Sequence, residues 1–154
     1  MKAFKVFETQ RFERGIDPMD SMKIGDVQGR LLKIRKAETT QAMEEILDTY
    51  GGDGPFFYDE DEAGFKIAIY QEGPIQSKYQ IVGGGNEVRY FIEYAYGKKL
   101  GEDTFFVGWE QEDENGKWWD RQWTSKLPGT GKSIKTLDQA KQILINYIQK
   151  NKSE

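Results

Sequence analysis

With neither histidine nor cysteine in the chain, the side chains able to do chemistry are carboxylates, hydroxyls, amines, guanidiniums and aromatic rings. Losing imidazole removes Ser-His-Asp triads and every mechanism that uses histidine as base, nucleophile or metal ligand. Losing the thiol removes disulfides, thiolate nucleophiles and zinc–cysteine sites. Carboxylates can still act as general acid and base, as in glycosidases, when two face each other across a cleft and one sits in apolar surroundings that raise its pKa. Asp120 beside Trp118 and Glu93 among the tyrosines are the candidates for such a pair. No motif gives them supporting context, so no residue is assigned a catalytic role.

Two further stretches carry fragments of ligand motifs. Gly129-Thr130-Gly131-Lys132-Ser133 resembles the end of a phosphate-binding P-loop, but the glycine required five residues before Gly131 is Lys126. The helix that follows starts near Thr136, too late for its amides to meet a phosphate held by Lys132. The stretch is therefore read as a strand-to-helix connection. Asp59, Asp61 and Gly64 occupy positions 1, 3 and 6 of a calcium loop, whereas position 5 is Ala63 and position 12 is Tyr70. Without the bidentate glutamate such a loop loses its main anchor, so neither metal nor cofactor is expected.

Aromatic residues are the remaining signal: nine Phe, eight Tyr and four Trp, many of them in strand-like runs. Most must be core, because each buries a large apolar area. Phe106, Trp119 and Trp123, however, fall on one predicted strand face with Lys117 and Arg121. Aromatics beside an arginine make up protein-binding hot spots, and also stacking platforms for bases or sugars. The same face could equally be covered by the protein's own helix. These five residues are the candidate partner- or ligand-binding set.

The elements that would position them run from Thr104 to Ile148. Phe105, Val107 and Trp109 alternate with Phe106, Gly108 and Glu110 at a strand's period of two. Asn115-Gly116 between two such runs predicts a two-residue type I′ hairpin turn. That turn pairs Glu114 with Lys117, Glu110 with Arg121 and Gly108 with Trp123, and it puts Trp119, Arg121 and Trp123 on one face. Beyond the glycine-rich connection, Thr136-Leu137-Asp138-Gln139 reads as a capping box. Leu137, Ala140, Ile143, Leu144, Tyr147 and Ile148 then form the apolar stripe of a C-terminal helix expected to lie across the sheet.

Earlier in the chain, Lys2 to Glu8 alternates like a short strand, and Asp17-Pro18 reads as the start of a short helix that stops near Gly25. Residues 27–37 fit either a helix or a strand. Thr39 or Thr40 caps a clearer helix carrying Ala42, Met43, Ile46, Leu47 and Tyr50 on one face, ended by Gly51-Gly52. Strands are expected at 56–58, 65–70, 78–82 and 88–96. The fold class is α+β: an antiparallel meander of about five to six strands, with a C-terminal amphipathic helix and one or two N-terminal helices packed on it. The 154 residues make a single domain, 1–154.

A net charge of −4 and a pI near 5.1 argue against a nucleic-acid partner of the usual basic kind. Charge is uneven: residues 1–36 hold nine basic and five acidic side chains, and residues 37–74 hold one and ten. That contrast predicts an acidic, solvated surface in the middle of the chain. No segment is apolar enough for a signal peptide or a membrane span, so a cytoplasmic location is expected. The segment Phe12-Glu13-Arg14-Gly15-Ile16-Asp17-Pro18, with Ile24-Gly25, resembles the opening of small uncharacterised accessory proteins encoded by tailed bacteriophages. The resemblance implies a phage origin and a host-cytoplasm location; that group supplies no activity to carry over. From the residues, the first reading is a non-catalytic protein that engages a protein partner through its aromatic sheet face. The second is a small-ligand module for a nucleotide, base or sugar on the same face, and the third a carboxylate-dependent hydrolase.

Overall fold

The computed structural model describes residues 24–60, 64–72, 87–96, 103–113 and 115–153. The expected strands at Lys2–Glu8 and 78–82, and the short helix after Asp17, lie outside them. The elements run α1 (Ile24–Tyr50), β1 (Asp53–Phe57), β2 (Gly64–Glu72), β3 (Glu87–Tyr96), β4 (Asp103–Glu112), β5 (Trp118–Thr124) and α2 (Leu137–Ser153). The strands form one antiparallel sheet in the order β1-β2-β3-β4-β5. The α+β meander with a helix near each end is therefore as the sequence pattern indicated.

Both helices lie on the same side of this sheet. Alternate residues Phe65, Ile67 and Ile69 of β2, Val88, Tyr90, Ile92 and Tyr94 of β3, and Phe105, Val107 and Trp109 of β4 turn toward them. They meet Met43 and Ile46 of α1 and Ala140, Ile143, Leu144 and Ile148 of α2 in one buried cluster. Ring contacts run through it, with Phe65 stacked on Tyr94 at 5.5 Å and Tyr94 tilted against Phe105 at 5.2 Å. Trp109 is wholly buried and its indole N–H donates to Gln122 Oε1 at 2.8 Å. Truncating a ring so placed typically costs about 3–5 kcal/mol.

Two local expectations are corrected. Residues 27–37 belong to a single unbroken helix, so Gly25 does not stop a helix and Thr39-Thr40 does not start one. Thr39 is buried in mid-helix, and the Thr40 hydroxyl donates back to the Lys36 carbonyl at 2.7 Å. What holds the N-terminal part of α1 in helix is tertiary: Leu32 packs on the core, and Arg35 pairs with Asp103 at the start of β4. Such contacts override the weak local signals of Gly and Thr. The helix does end where Gly51, at φ +82°, donates to the Leu47 carbonyl.

The second correction concerns the β4–β5 turn. Asp113 donates its amide to the Lys117 carbonyl at 2.8 Å and accepts from the Gly116 amide at 3.0 Å, so the loop holds three residues and not two. The Asp113 side chain selects it, with Oδ1 accepting from the Asn115 and Lys117 amides, while Gly116 takes φ +83°. The longer loop shifts the register by one, pairing Glu110 with Asp120 and Glu112 with Trp118. A bulge at Arg121 then takes up the extra residue and restores the expected Gly108–Trp123 pair.

The capping box at α2 forms as expected. Gln139 donates its amide to Thr136 Oγ1, and its Oε1 accepts from the Thr136 amide, both at 3.2 Å. The helix continues past its apolar stripe to Ser153, and on the way the buried side-chain amide of Asn151 donates to Tyr90 Oη at 2.9 Å. The glycine-rich connection is a closed turn, with Lys126 bridged to Ser133 and Ile134 inserted beneath β4 through a bond from the Phe105 amide to its carbonyl.

Gly108 marks a tight point of the sheet on the side away from the helices. A Cβ there would lie 2.4 Å from the Gln122 carbonyl oxygen and 2.5 Å from Cζ of Phe91. Because one of those neighbours is backbone, Gly108→Ala should destabilise the fold by about 1–3 kcal/mol in urea unfolding. An unchanged midpoint would show that the ring and strand yield more easily than this geometry allows.

Candidate functional site

The side of the sheet away from the helices carries the other alternate set: Lys66, Ala68 and Tyr70 of β2, Arg89, Phe91 and Glu93 of β3, Phe106, Gly108, Glu110 and Glu112 of β4, and Trp118, Asp120 and Trp123 of β5. Phe56 of β1 and Tyr58 just after it join them at one edge. Among the described residues no helix covers this side.

Its centre is an ion cluster wrapped in rings. Glu110, only 6% exposed, pairs with Arg89 on the neighbouring strand and with Lys66 Nζ at 3.6 Å. The Arg89 guanidinium lies between two rings, 4.5 Å from the centroid of Tyr58 and 4.2 Å from that of Trp118. Lys66 Nζ sits 4.1 Å over Phe91 and 5.1 Å from Tyr58. Tyr70 meets Trp118 and Phe56 edge-on. The planar guanidinium is thus desolvated on its flat sides and the ammonium by the rings beside it, and both draw on one shared carboxylate, which makes the pairing costly to break.

The electrostatics follow from that burial. Desolvation pushes the Glu110 carboxyl above its ordinary range, and the adjacent Asp120 carboxyl pushes it the same way, against the pull of Arg89 and Lys66. Glu93 is also raised, chiefly by burial, while Lys66 and the nearby Trp123 indole N–H oppose the shift. Burial lifts the Tyr58 phenol far above its usual value. Its buried hydroxyl finds no partner among the described residues.

The five residues singled out by pattern do not form one site. Phe106 and Trp123 share the helix-free face and stack at 5.1 Å with an 18° interplanar angle, with Trp123 54% exposed. Trp119, Lys117 and Arg121 fall on the opposite side, which corrects the expected single face. Trp119 pairs with Gln111 of the helix side and donates its indole N–H to Asp113 Oδ2 at 2.9 Å. That bond, more than the Lys117 amide, lowers the Asp113 pKa. Lys117 Nζ lies 4.2 Å over the Trp119 ring, and Arg121 Nε donates to Gln111 Oε1 at 3.1 Å. The physical cause is the three-residue turn: one extra residue reverses which side Trp118, Trp119 and Asp120 face.

Asp120 and Glu93, the acid–base candidates, do share the helix-free side. They stand on β5 and β3, opposite residues of β4 four positions apart, Glu110 and Phe106. That places their backbones roughly 17 Å apart, well beyond the ~5–9.5 Å that separates the carboxyls of a glycosidase pair. Lys66, Arg89, Tyr58 and Trp118 were not singled out by pattern. Their signal is a cross-strand match, Lys66 opposite Glu93 and Arg89 opposite Glu110, which becomes readable only once β2, β3 and β4 are in register. Among the described residues no group of three or more carboxylates is placed to hold a metal ion, and no helix is long and apolar enough to cross a membrane.

No family model matches the sequence, and comparisons with curated proteins and with solved structures give no match.

Because the folded-state pKa of Glu93 is raised, its contribution to stability is fully present below its ordinary value of 4.5 and is lost as pH rises through the folded value. Glu93→Gln keeps the shape and an acceptor for Trp123 but cannot ionise. Thermal melts of the variant across the acidic-to-neutral range should lose stability less steeply with rising pH than those of the unaltered chain. Parallel slopes would show that Glu93 titrates as a solvated carboxylate.

Proposed function

We propose that this chain is a non-catalytic binding protein that engages a protein partner through the helix-free face of its sheet. The observation that carries this reading is the Phe106–Trp123 stack, held out on a side where the described residues supply no covering element. Phe56, 48% exposed, extends the apolar surface at the far edge. Within this rim Glu110 ties Arg89 and Lys66 together, so the surface offers rigid rings over a pre-ordered base. Protein-binding hot spots have this composition.

The nucleotide or sugar reading has less support. The cations meant to meet a phosphate, Lys117 and Arg121, lie on the opposite side of the sheet from Trp123, and the cations that do lie near it are already paired. The wide backbone separation of Glu93 and Asp120 likewise weakens the hydrolase reading. The resemblance of the opening segment to small tailed-phage proteins supports an accessory role in a host cytoplasm.

The test is a partner captured on the unaltered chain and then measured with purified components. Trp123→Ala should lower stability by only about 1 kcal/mol, since it loses one ring stack on a half-exposed side chain. The same substitution should weaken the partner about tenfold or more, as a hot-spot truncation does. Unchanged affinity in a folded variant would remove Trp123 from the interface.

A further inference from the structure

The helix-free face holds its own cations by a repeated device. Arg89 lies between the rings of Tyr58 and Trp118 with Glu110 as its counter-charge. Lys66 lies over Phe91 with Glu110 at 3.6 Å and Glu93 directly across the strand pair. A third aromatic–carboxylate pairing stands beside these two. Trp123 and Phe106 are stacked, and Glu93 lies directly opposite Phe106 on the neighbouring strand. Among the described residues no cation lies over either ring. The charge count of the face points the same way: Glu93, Glu110, Glu112 and Asp120 against Lys66 and Arg89. Four carboxylates against two cations leave the face with an excess of negative charge, carried outward chiefly by Glu112 and Asp120 with Glu93 beside the Trp123 stack.

We propose that the partner of this face is a basic, arginine-bearing protein segment, with one guanidinium laid on the exposed Trp123 ring and its charge met by Glu93. Arginine suits the position better than lysine. Its planar head can stack on the indole while its edge N–H groups reach a carboxylate, the arrangement Arg89 already shows on Trp118. An anionic partner, nucleic acid included, would bring its phosphates or carboxylates against the like charges of Glu112 and Asp120. This inference rests on the docking reading above and adds the chemistry of the occupant.

The test uses the full chain and fluorescence anisotropy of a labelled peptide of alternating arginine and serine, beside the same peptide with glutamate in place of arginine. The arginine peptide should bind saturably and the glutamate peptide should not. Trp123→Ala and Glu93→Gln should each weaken it about tenfold, while Trp123→Tyr, which keeps a ring, should stay within about threefold. Glu44→Gln on the exposed side of α1 removes the same charge from a distant surface and should leave affinity within about twofold. Equal losses in Glu44→Gln and Glu93→Gln would mean that the peptide adheres through net charge alone, which overturns the proposal. Absence of arginine-peptide binding, or equal binding of the glutamate peptide, overturns it as well. If a captured partner then proves to present a non-basic segment to Trp123, the docking reading survives and this one does not. Sedimentation showing a dimer that Trp123→Ala dissolves would assign the face to a second copy of the chain and also refute it.

Discussion

A sheet with helices on one side only imposes two different tasks on every strand. Residues pointing toward α1 and α2 need only be apolar and fit, and Phe65, Ile67, Tyr90, Ile92, Phe105 and Trp109 do so. Their alternate neighbours have no second layer to shield them, yet the backbone beneath them must stay dry for the ladder to hold. Here that shielding comes from the side chains themselves. The Phe91 ring reaches over Gly108, Arg89 is slotted between Tyr58 and Trp118, and Lys66 covers Phe91. The aliphatic stems of Lys and Arg serve as cover while their heads meet Glu110. The position of Glu110 is the keystone of this layer, because without it two desolvated cations would face one another across β2 and β3.

The features legible in the sequence were those governed by neighbours in the chain. Alternation over Thr104–Trp109 and Val88–Tyr96, the Thr136–Gln139 capping box and the glycine stop after Tyr50 each depend on residues within one turn or one strand. The meander follows from their order. Local pattern fails where a distant contact decides. Residues 27–37 have no helical signal strong enough to exclude a strand, and it is Arg35 bonding to Asp103, far along the chain, that anchors them.

The candidate site was half legible for a related reason. Phe106 and Trp123 were placed together because the pairing of Gly108 with Trp123 survives, though by two compensating irregularities and not by an ideal two-residue turn. Between turn and bulge the register is off by one, and there Trp119 and Asp120 exchange sides relative to the pattern. The deciding residue is Asp113, whose carboxylate gathers the Asn115 and Lys117 amides and the Trp119 indole. An Asn-Gly signal read without the aspartate two positions before it gives the wrong loop length. Lys66 and Arg89 were harder still, since their role exists only across three strands.

The bulge at Arg121 also bears on what the sheet will not do. β5 is an outer strand, and an outer strand of regular pleat exposes a row of free amides and carbonyls that invites another chain to join the ladder. The irregularity opposite Trp109 and Glu110 twists that row out of line, and β1 at the other margin is interrupted between Asp53 and Phe56, where Pro55 has no amide hydrogen to offer. Both margins are therefore poor templates for growth. Among the described residues the sheet holds five strands, and despite its density of β-forming aromatics these margins guard it against the polymerisation that such a composition would otherwise favour.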